Sequence, residues 1–225
     1  MNQVAGLNLN LAILCVGCVC IFYTSLGGMK AVIWTDVYQS IWMFSGFFII
    51  ILVSVIDFDG FGNIWSAVSR GARNQGQFEL DPRFRHTMWS VLIGNCTGAE
   101  MATFICQQYK VQRYLSCKSL KDAQKCIFYS IPVTAVITLM ALLAGYSAFA
   151  YFEHCDPVTS GWVEKNDQIL PYLSLYMFGI IAPGMAGVYM SSVFGATLST
   201  TSSSINSCSV VIIEDIIKPI IKDSS

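Results

Sequence analysis

The chain contains 225 residues, of which 54% are hydrophobic and 12% are charged, and its formal net charge is -1. Roughly a quarter of the residues in a soluble domain are charged, so this composition excludes an ordinary soluble protein. The balanced charge also gives no reason to expect a nucleic acid as a partner. We therefore predict an all-α, polytopic membrane protein that is embedded in the lipid bilayer.

Five apolar runs are long enough to cross a hydrocarbon core of about 30 Å, which takes roughly 20 helical residues. The predicted passes are residues 7–26, 36–57, 86–109, 126–152 and 185–213. A short surface helix over residues 169–182 is predicted before the last pass, and Pro183 with Gly184 would end it. Residues 1–225 form a single transmembrane domain in this prediction.

The charges of the connecting loops predict the orientation of the chain. The loop 107–125 carries five lysine or arginine residues and Asp122 as its one acidic residue, which is typical of a cytoplasmic loop. The loops 58–85 and 153–168 mix arginines with more carboxylates, so we place them on the opposite side.

Glu100 interrupts the third predicted pass, close to Thr97 and Gly98. A carboxylate at the bilayer centre costs about 2.5 kcal/mol or more unless it is paired or hydrated. Gly94 and Gly98 would allow a discontinuous helix of the kind that lines a substrate cavity. Thr97, Gly98 and Glu100 are therefore candidates for the solute cavity, where Glu100 would favour a cationic or zwitterionic solute or bind a coupling proton. The alternative is an uncharged carboxylic acid hydrogen-bonded to a neighbouring helix.

The last predicted pass carries six consecutive hydroxyl-bearing residues, Ser199 to Ser204. On a helix, Ala196, Ser199, Thr200 and Ser203 share one face, which lines up hydroxyl groups with a backbone carbonyl. Oxygen ligands suit hard cations, so this hydroxyl stripe predicts a site for a monovalent cation such as Na+. The alternative is that the small side chains allow two helices to approach closely.

The sequence carries no arrangement typical of an enzyme. The two histidines, His86 and His154, lie at predicted loop edges, and neither Gly-x-Ser-x-Gly nor His-Glu-x-x-His occurs. Most of the nine cysteines lie in apolar runs, where cysteine behaves as a small hydrophobe. We therefore expect neither catalysis nor a cofactor, and neither a disulfide framework nor a zinc site.

Four sequence motifs follow one another along the chain. They are Tyr23 to Asp36 with its Gly27-Gly28-Met29, Val111 to Ser116, Cys155-Asp156-Pro157 with Asp167 to Tyr172, and the hydroxyl run with Ile205-Asn206 and Glu214-Asp215. In this order they resemble the solute:sodium symporter family, in the branch of monocarboxylate, multivitamin and iodide transporters. The resemblance covers nearly all of the 225 residues.

This resemblance implies a LeuT-type inverted-repeat bundle, in which the five passes would correspond to core helices four to eight. By the family pattern, Ala196 would give its carbonyl and Ser199 and Thr200 their hydroxyls to a sodium ion. Ser203 matches the position of a second sodium in members that carry two.

The resemblance also implies sodium-coupled symport of a small organic solute, a monocarboxylate or a vitamin-like anion, across the plasma membrane. Further sodium ligands would belong to a helix upstream of Met1, so we expect the chain to be a fragment that does not transport by itself. The alternatives are a truncated or regulatory membrane fragment without transport activity, and a transporter of a cationic or zwitterionic solute.

Overall fold

The computed structural model describes residues 8–73, 81, 93–94, 98, 101–181 and 184–223, and all of the regular structure in these ranges is helical. The α-helices are α1 (Leu9–Asp57), α2 (Phe61–Arg70), α3 (Gln108–Leu115), α4 (Leu120–Tyr151), α5 (Ile169–Ile181), α6 (Met185–Val211) and α7 (Lys218–Asp223). A π-helical turn, Ala102–Cys106, precedes α3, and a second one, Ile212–Ile217, joins α6 to α7.

Helix α1 is interrupted at one residue, Gly28, whose φ of 54° and ψ of -150° are not helical. Glycine adopts such a conformation readily because it has no Cβ. The break divides the 49 residues of α1 into segments 9–27 and 29–57, which we call the first and second arms. The second pass was predicted to begin at residue 36, but the second arm is helical from residue 29. The reason is that Gly28 alone makes the break between the two arms.

Two helices in the described ranges are long and apolar enough to cross a membrane, α1 from Asn10 onward and α4. Helix α6 has 27 residues, but its hydroxyl run makes it less apolar. Half of the predicted pass 86–109 lies outside the described residues. The count of five passes therefore stays a prediction.

The chain divides into two compact units, and the first consists of Met1–Arg73 and Thr134–Asn206. Its core contains Ile50 of α1, Ala144 of α4, Leu173 and Phe178 of α5, and Tyr189 of α6. Helix α5 occupies the region of the predicted surface helix, and its buried residues pack into this core. A smaller apolar cluster joins Ile64, Ala67 and Val68 of α2 to Ala150 of α4.

The second unit consists of Asn74–Val133 and Ser207–Ser225. In this unit the ammonium group of Lys110 on α3 lies 3.9 Å from the centre of the Phe104 ring, which belongs to the preceding π-helical turn. This cation–π contact ties α3 to that turn.

Candidate functional site

The hydroxyl stripe (Ala196, Ser199, Thr200, Ser203) lies on α6 of the first unit. Ser203 is buried, Ala196 and Ser199 are half-buried, and Thr200 is exposed. The Thr200 hydroxyl donates to the Ala196 carbonyl at 3.2 Å, so a carbonyl and a hydroxyl of the predicted cation site lie side by side.

Most hydroxyls of the run bond to carbonyls of their own helix. Ser202 donates to Ser199 O at 3.1 Å, and Ser204 donates to Thr200 O at 2.9 Å. Such back-bonding keeps serine and threonine compatible with a helix where water is scarce. The hydroxyl oxygens still have lone pairs available, so the stripe can present oxygen to a ligand.

Ser199 makes a different bond, since its hydroxyl donates to the carboxylate Oδ1 of Asp36 at 2.6 Å. Asp36 belongs to the second arm of α1 and is only 9% exposed. A short hydrogen bond to a buried carboxylate is among the stronger polar contacts in proteins. The structure thus adds a carboxyl oxygen to the predicted stripe.

The first arm of α1 reaches the same turn of α6 from the other side of Gly28. The Cys20 thiol lies 3.9 Å from the Leu198 carbonyl, and the Tyr23 hydroxyl lies 3.9 Å from Cys20 Sγ. The chain therefore folds back at Gly28, and both of its arms contact α6 at the level of the stripe.

Small residues bring α1 and α6 close together on the approach to this site. A Cβ added at Gly46 would lie 2.0 Å from the Ser192 Oγ, and one added at Gly195 would lie 3.6 Å from the Gln39 Cβ. Close helix packing was the alternative explanation of the stripe; the structure shows such packing at Gly46, Ser192 and Gly195, and Ser202 and Ser203 of the hydroxyl run are buried as well. The residues from Ser199 onward add polar contacts to that packing.

Two buried oxygens of α1 have no hydrogen-bond partner among the described residues, Thr24 Oγ1 and Gln39 Oε1. Gln39 is 7% exposed and lines a cavity of about 550 Å³ together with Gly195 and Leu198. Buried polar atoms in folded proteins are nearly always paired. These two oxygens are therefore available to accept hydrogen bonds from a further segment.

The predicted solute-cavity residues are only partly within the described ranges. Gly98 lies in a π-helical turn and is exposed, whereas Thr97 and Glu100 lie outside the described residues. Their assignment stays a prediction.

Sequence analysis did not assign a role to Asp36. Its signal was nevertheless present, because Asp36 is the one charged residue between Lys30 and Asp57 in an otherwise apolar stretch. An isolated ionisable residue inside a membrane segment is a candidate functional residue by itself.

Regular structure that is helical throughout the described residues, with helices of membrane length and a polar face on one of them, is typical of the class of helical membrane proteins. The sodium:solute symporter family profile matches residues 1–225, and the chain belongs to that family.

Relatives of known name agree with this assignment. Mouse sodium-coupled monocarboxylate transporter 2 is 36% identical over 219 residues, which are 97% of this chain and 35% of that protein. The human sodium/iodide cotransporter is 36% identical over 220 residues, 97% of this chain and 34% of that protein. A putative sodium-dependent multivitamin transporter of Drosophila melanogaster is 35% identical over 222 residues, 98% of this chain and 36% of that protein. The chain thus spans about a third of the length of these relatives.

A solved structure shares the fold. It is a Na+-coupled sialic acid symporter in a substrate-bound, outward-open state, and it superposes with a TM-score of 0.78 at 25% identity, covering 94% of this chain and 44% of that one. The predicted fold class, a partial LeuT-type helical bundle, is therefore confirmed.

Proposed function

We propose that this chain forms the part of a sodium-coupled symporter that binds the coupling Na+, and that the transporter carries a small organic solute across the plasma membrane. The observation behind this proposal is the hydrogen bond from Ser199 to the buried carboxylate of Asp36, beside the Ala196 carbonyl and the Thr200 hydroxyl. The names of the relatives favour a monocarboxylate or a vitamin-like anion as the solute. No cofactor is needed, and we do not expect an enzymatic activity.

The chemistry of these four residues suits sodium. Na+ is a hard cation and prefers oxygen ligands, which here would be the Ala196 carbonyl, the Ser199 and Thr200 hydroxyls and the Asp36 carboxylate. A single carboxylate matches a single positive charge at membrane depth, where an unbalanced charge is costly. Ser203, one turn further along α6, is 5% exposed and would serve a second ion.

Other segments would complete the site. The chain spans about a third of the length of its relatives, and Gln39 and Thr24 of α1 present buried acceptor oxygens. We propose that a helix outside this chain donates to these oxygens and supplies the remaining ligands. The chain expressed by itself should therefore show no sodium-driven uptake.

Sodium binding would drive uptake through linkage. If Na+ favours the conformation that binds solute, solute affinity rises by the same factor as sodium affinity. The membrane potential contributes about 2.3 kcal/mol per charge per 100 mV to the cycle. Replacing sodium by a bulky organic cation should abolish transport.

The test is a chimera in which this sequence replaces the matching third of the mouse monocarboxylate transporter. We would measure lactate uptake against sodium concentration for the chimera and for its Ser199→Ala and Thr200→Ala variants. Loss of one oxygen ligand should raise the half-maximal sodium concentration about tenfold.

Matched controls come from the same helix. Ser204→Ala and Thr197→Ala remove exposed hydroxyls that bond to their own helix and lie off the stripe. Equal sodium dependence in stripe and control variants would contradict the sodium site. A chimera that takes up lactate without sodium would contradict the coupling itself.

A further inference from the structure

A second cavity of the first unit lies at the ends of α2 and α4, far along the chain from the hydroxyl stripe. Its volume is about 640 Å³, and its walls include Arg73, Phe149, Phe152, Glu153, Asp156 and Ile169. A space of this size is in the range of small-molecule sites, which combine apolar walls with a few polar groups. Arg73 and the wall residues between Glu153 and Asn166 belong to loops that the sequence predicts on the non-cytoplasmic side, so we call this space the outer cavity.

The carboxylates of this outer cavity are already engaged. Glu153 accepts two hydrogen bonds from the Arg70 guanidinium, at 2.7 and 2.8 Å. Asp156 accepts from the Thr159 hydroxyl at 2.6 Å and from the Val158 amide at 3.1 Å, so its oxygens are turned onto its own loop. These contacts lower the pKa of both carboxyl groups, which are therefore ionised at neutral pH.

Arg73 is the cation of the cavity that no described carboxylate engages. Its guanidinium carbon lies 5.5 Å from the centre of the Phe149 ring, and the structure gives it no ion pair within the described residues. A guanidinium group on an aromatic face keeps its in-plane N–H donors available to a ligand. Arg73 can therefore accept a ligand anion without breaking an existing ion pair.

The backbone holds Arg73 at this place. The Arg73 amide donates to Val68 O and the Ala72 amide donates to Ser69 O, both at 3.0 Å. Together with the left-handed φ of 53° at Ala72, these bonds form a Schellman motif that ends α2. The Phe149 ring is fixed as well, because a Cβ on Gly71 would lie 2.2 Å from it. The cation and the aromatic face are thus both held in position by the fold.

We propose that the outer cavity binds a small organic monocarboxylate, whose carboxylate pairs with Arg73 and whose apolar part rests on Phe149 and Phe152. One available guanidinium matches one carboxylate, and its planar fork suits bidentate pairing. The apolar walls favour an organic anion over a simple inorganic one. This site needs no sodium, and it is separate from the stripe on α6.

The experiment uses the purified full chain in lipid nanodiscs, with 4-fluorobenzoate as the probe and ¹⁹F NMR line broadening as the readout. We expect saturable binding in sodium-free buffer, unchanged affinity when sodium is added, and displacement by unlabelled benzoate. Arg73→Gln should weaken binding at least about tenfold, and Arg73→Lys should weaken it less because the charge is retained.

Controls separate this site from general charge effects and from partition into lipid. Arg113→Gln removes the same charge in the second unit and should leave binding unchanged, and empty nanodiscs give the lipid background. Asn166→Asp adds a carboxylate to the cavity wall and should weaken binding while Arg73 is intact. The neutral 4-fluorobenzyl alcohol and the cationic 4-fluorobenzylamine should bind poorly.

Equal affinity of the wild type and Arg73→Gln, or equal binding of benzoate and benzylamine, would overturn the proposal. So would an affinity that disappears without sodium, because the probe would then report on the transport site. A failed sodium site with intact benzoate binding would leave this inference standing and would count against the proposed function alone.

Discussion

The hydroxyl stripe and the rim of the outer cavity use charge in opposite environments. At the stripe, one carboxylate with 9% exposure meets a neutral hydroxyl, and at the rim, Glu153 meets a guanidinium whose side chain is 62% exposed. The Arg70–Glu153 pair at the rim has the better geometry, because two hydrogen bonds join its partners. Water and salt nevertheless screen the attraction between its charges. Burial, more than the number of bonds, should decide which of the two contacts is sensitive to mutation.

The largest effect should come from Asp36→Asn. This change keeps the shape of the side chain but removes the charge, so sodium binding should weaken by about 3 kcal/mol, or roughly a hundredfold. Titration of the chimera with sodium measures it. An unchanged sodium dependence would mean that Asp36 serves helix packing only.

Gly46→Ala should have the next largest effect, on stability. Its Cβ would lie 2.6 Å from the Ser192 Cβ, so α1 and α6 would have to move apart, at a cost of about 2 kcal/mol. Thermal unfolding of the purified chain, followed by tryptophan fluorescence, measures this loss. Gly187→Ala on α6 is the matched control, because a Cβ there would meet nothing within 4 Å; equal losses in both variants would refute tight packing at Gly46.

Ala72→Gly should stabilise the rim of the outer cavity by about 1 kcal/mol. Ala72 has a φ of 53°, a conformation that is unfavourable for residues with a Cβ and free for glycine. Hydrogen exchange of the Arg73 amide, which is bonded to Val68 O, measures the local gain. A lower protection of that amide would contradict the Schellman assignment.

The smallest effect is expected from Arg70→Gln at neutral pH, with a melting temperature close to that of the wild type in physiological salt. Because Arg70 lowers the pKa of Glu153, the stabilisation from this pair is present above the ordinary glutamate pKa of 4.5 and is lost as the pH falls through the lowered value. Melting temperatures of the wild type and of Arg70→Gln should therefore differ at most slightly at pH 7 and become equal as the pH falls to 3. A difference that grows in acid would reverse this sign and refute the pairing.

Local sequence patterns predicted the parts of the fold that depend on neighbouring residues. The helical spacing of Ala196, Ser199, Thr200 and Ser203 was sufficient to group them on one face. Hydropathy located the fourth pass at residue 126, but α4 begins at Leu120, because Ser119 caps the helix through its bonds with Asp122. An apolar window detects only the membrane part of a helix and not its hydrated first turn.

Contacts between distant residues could not be predicted in the same way. Asp36 and Ser199 are separated by 163 positions, so no local pattern joins them. Helix α2 was expected to be loop, although Ile64, Ala67 and Val68 follow the spacing of an amphipathic helix. A long apolar run does not detect such a helix, because α2 is short and only one of its faces is apolar.

Gly28 sets the register between the two arms of α1 and helix α6. Cys20 and Asp36 lie eight residues before and after it, and they contact neighbouring residues of α6, Leu198 and Ser199. At about 1.5 Å and 100° per helical residue, one residue inserted into either arm would move its contact up the helix and turn it away from the stripe. The number of residues between Gly28 and each contact residue therefore fixes which residue of α6 is contacted. A family member with a longer or shorter second arm must place its carboxylate against a different part of α6.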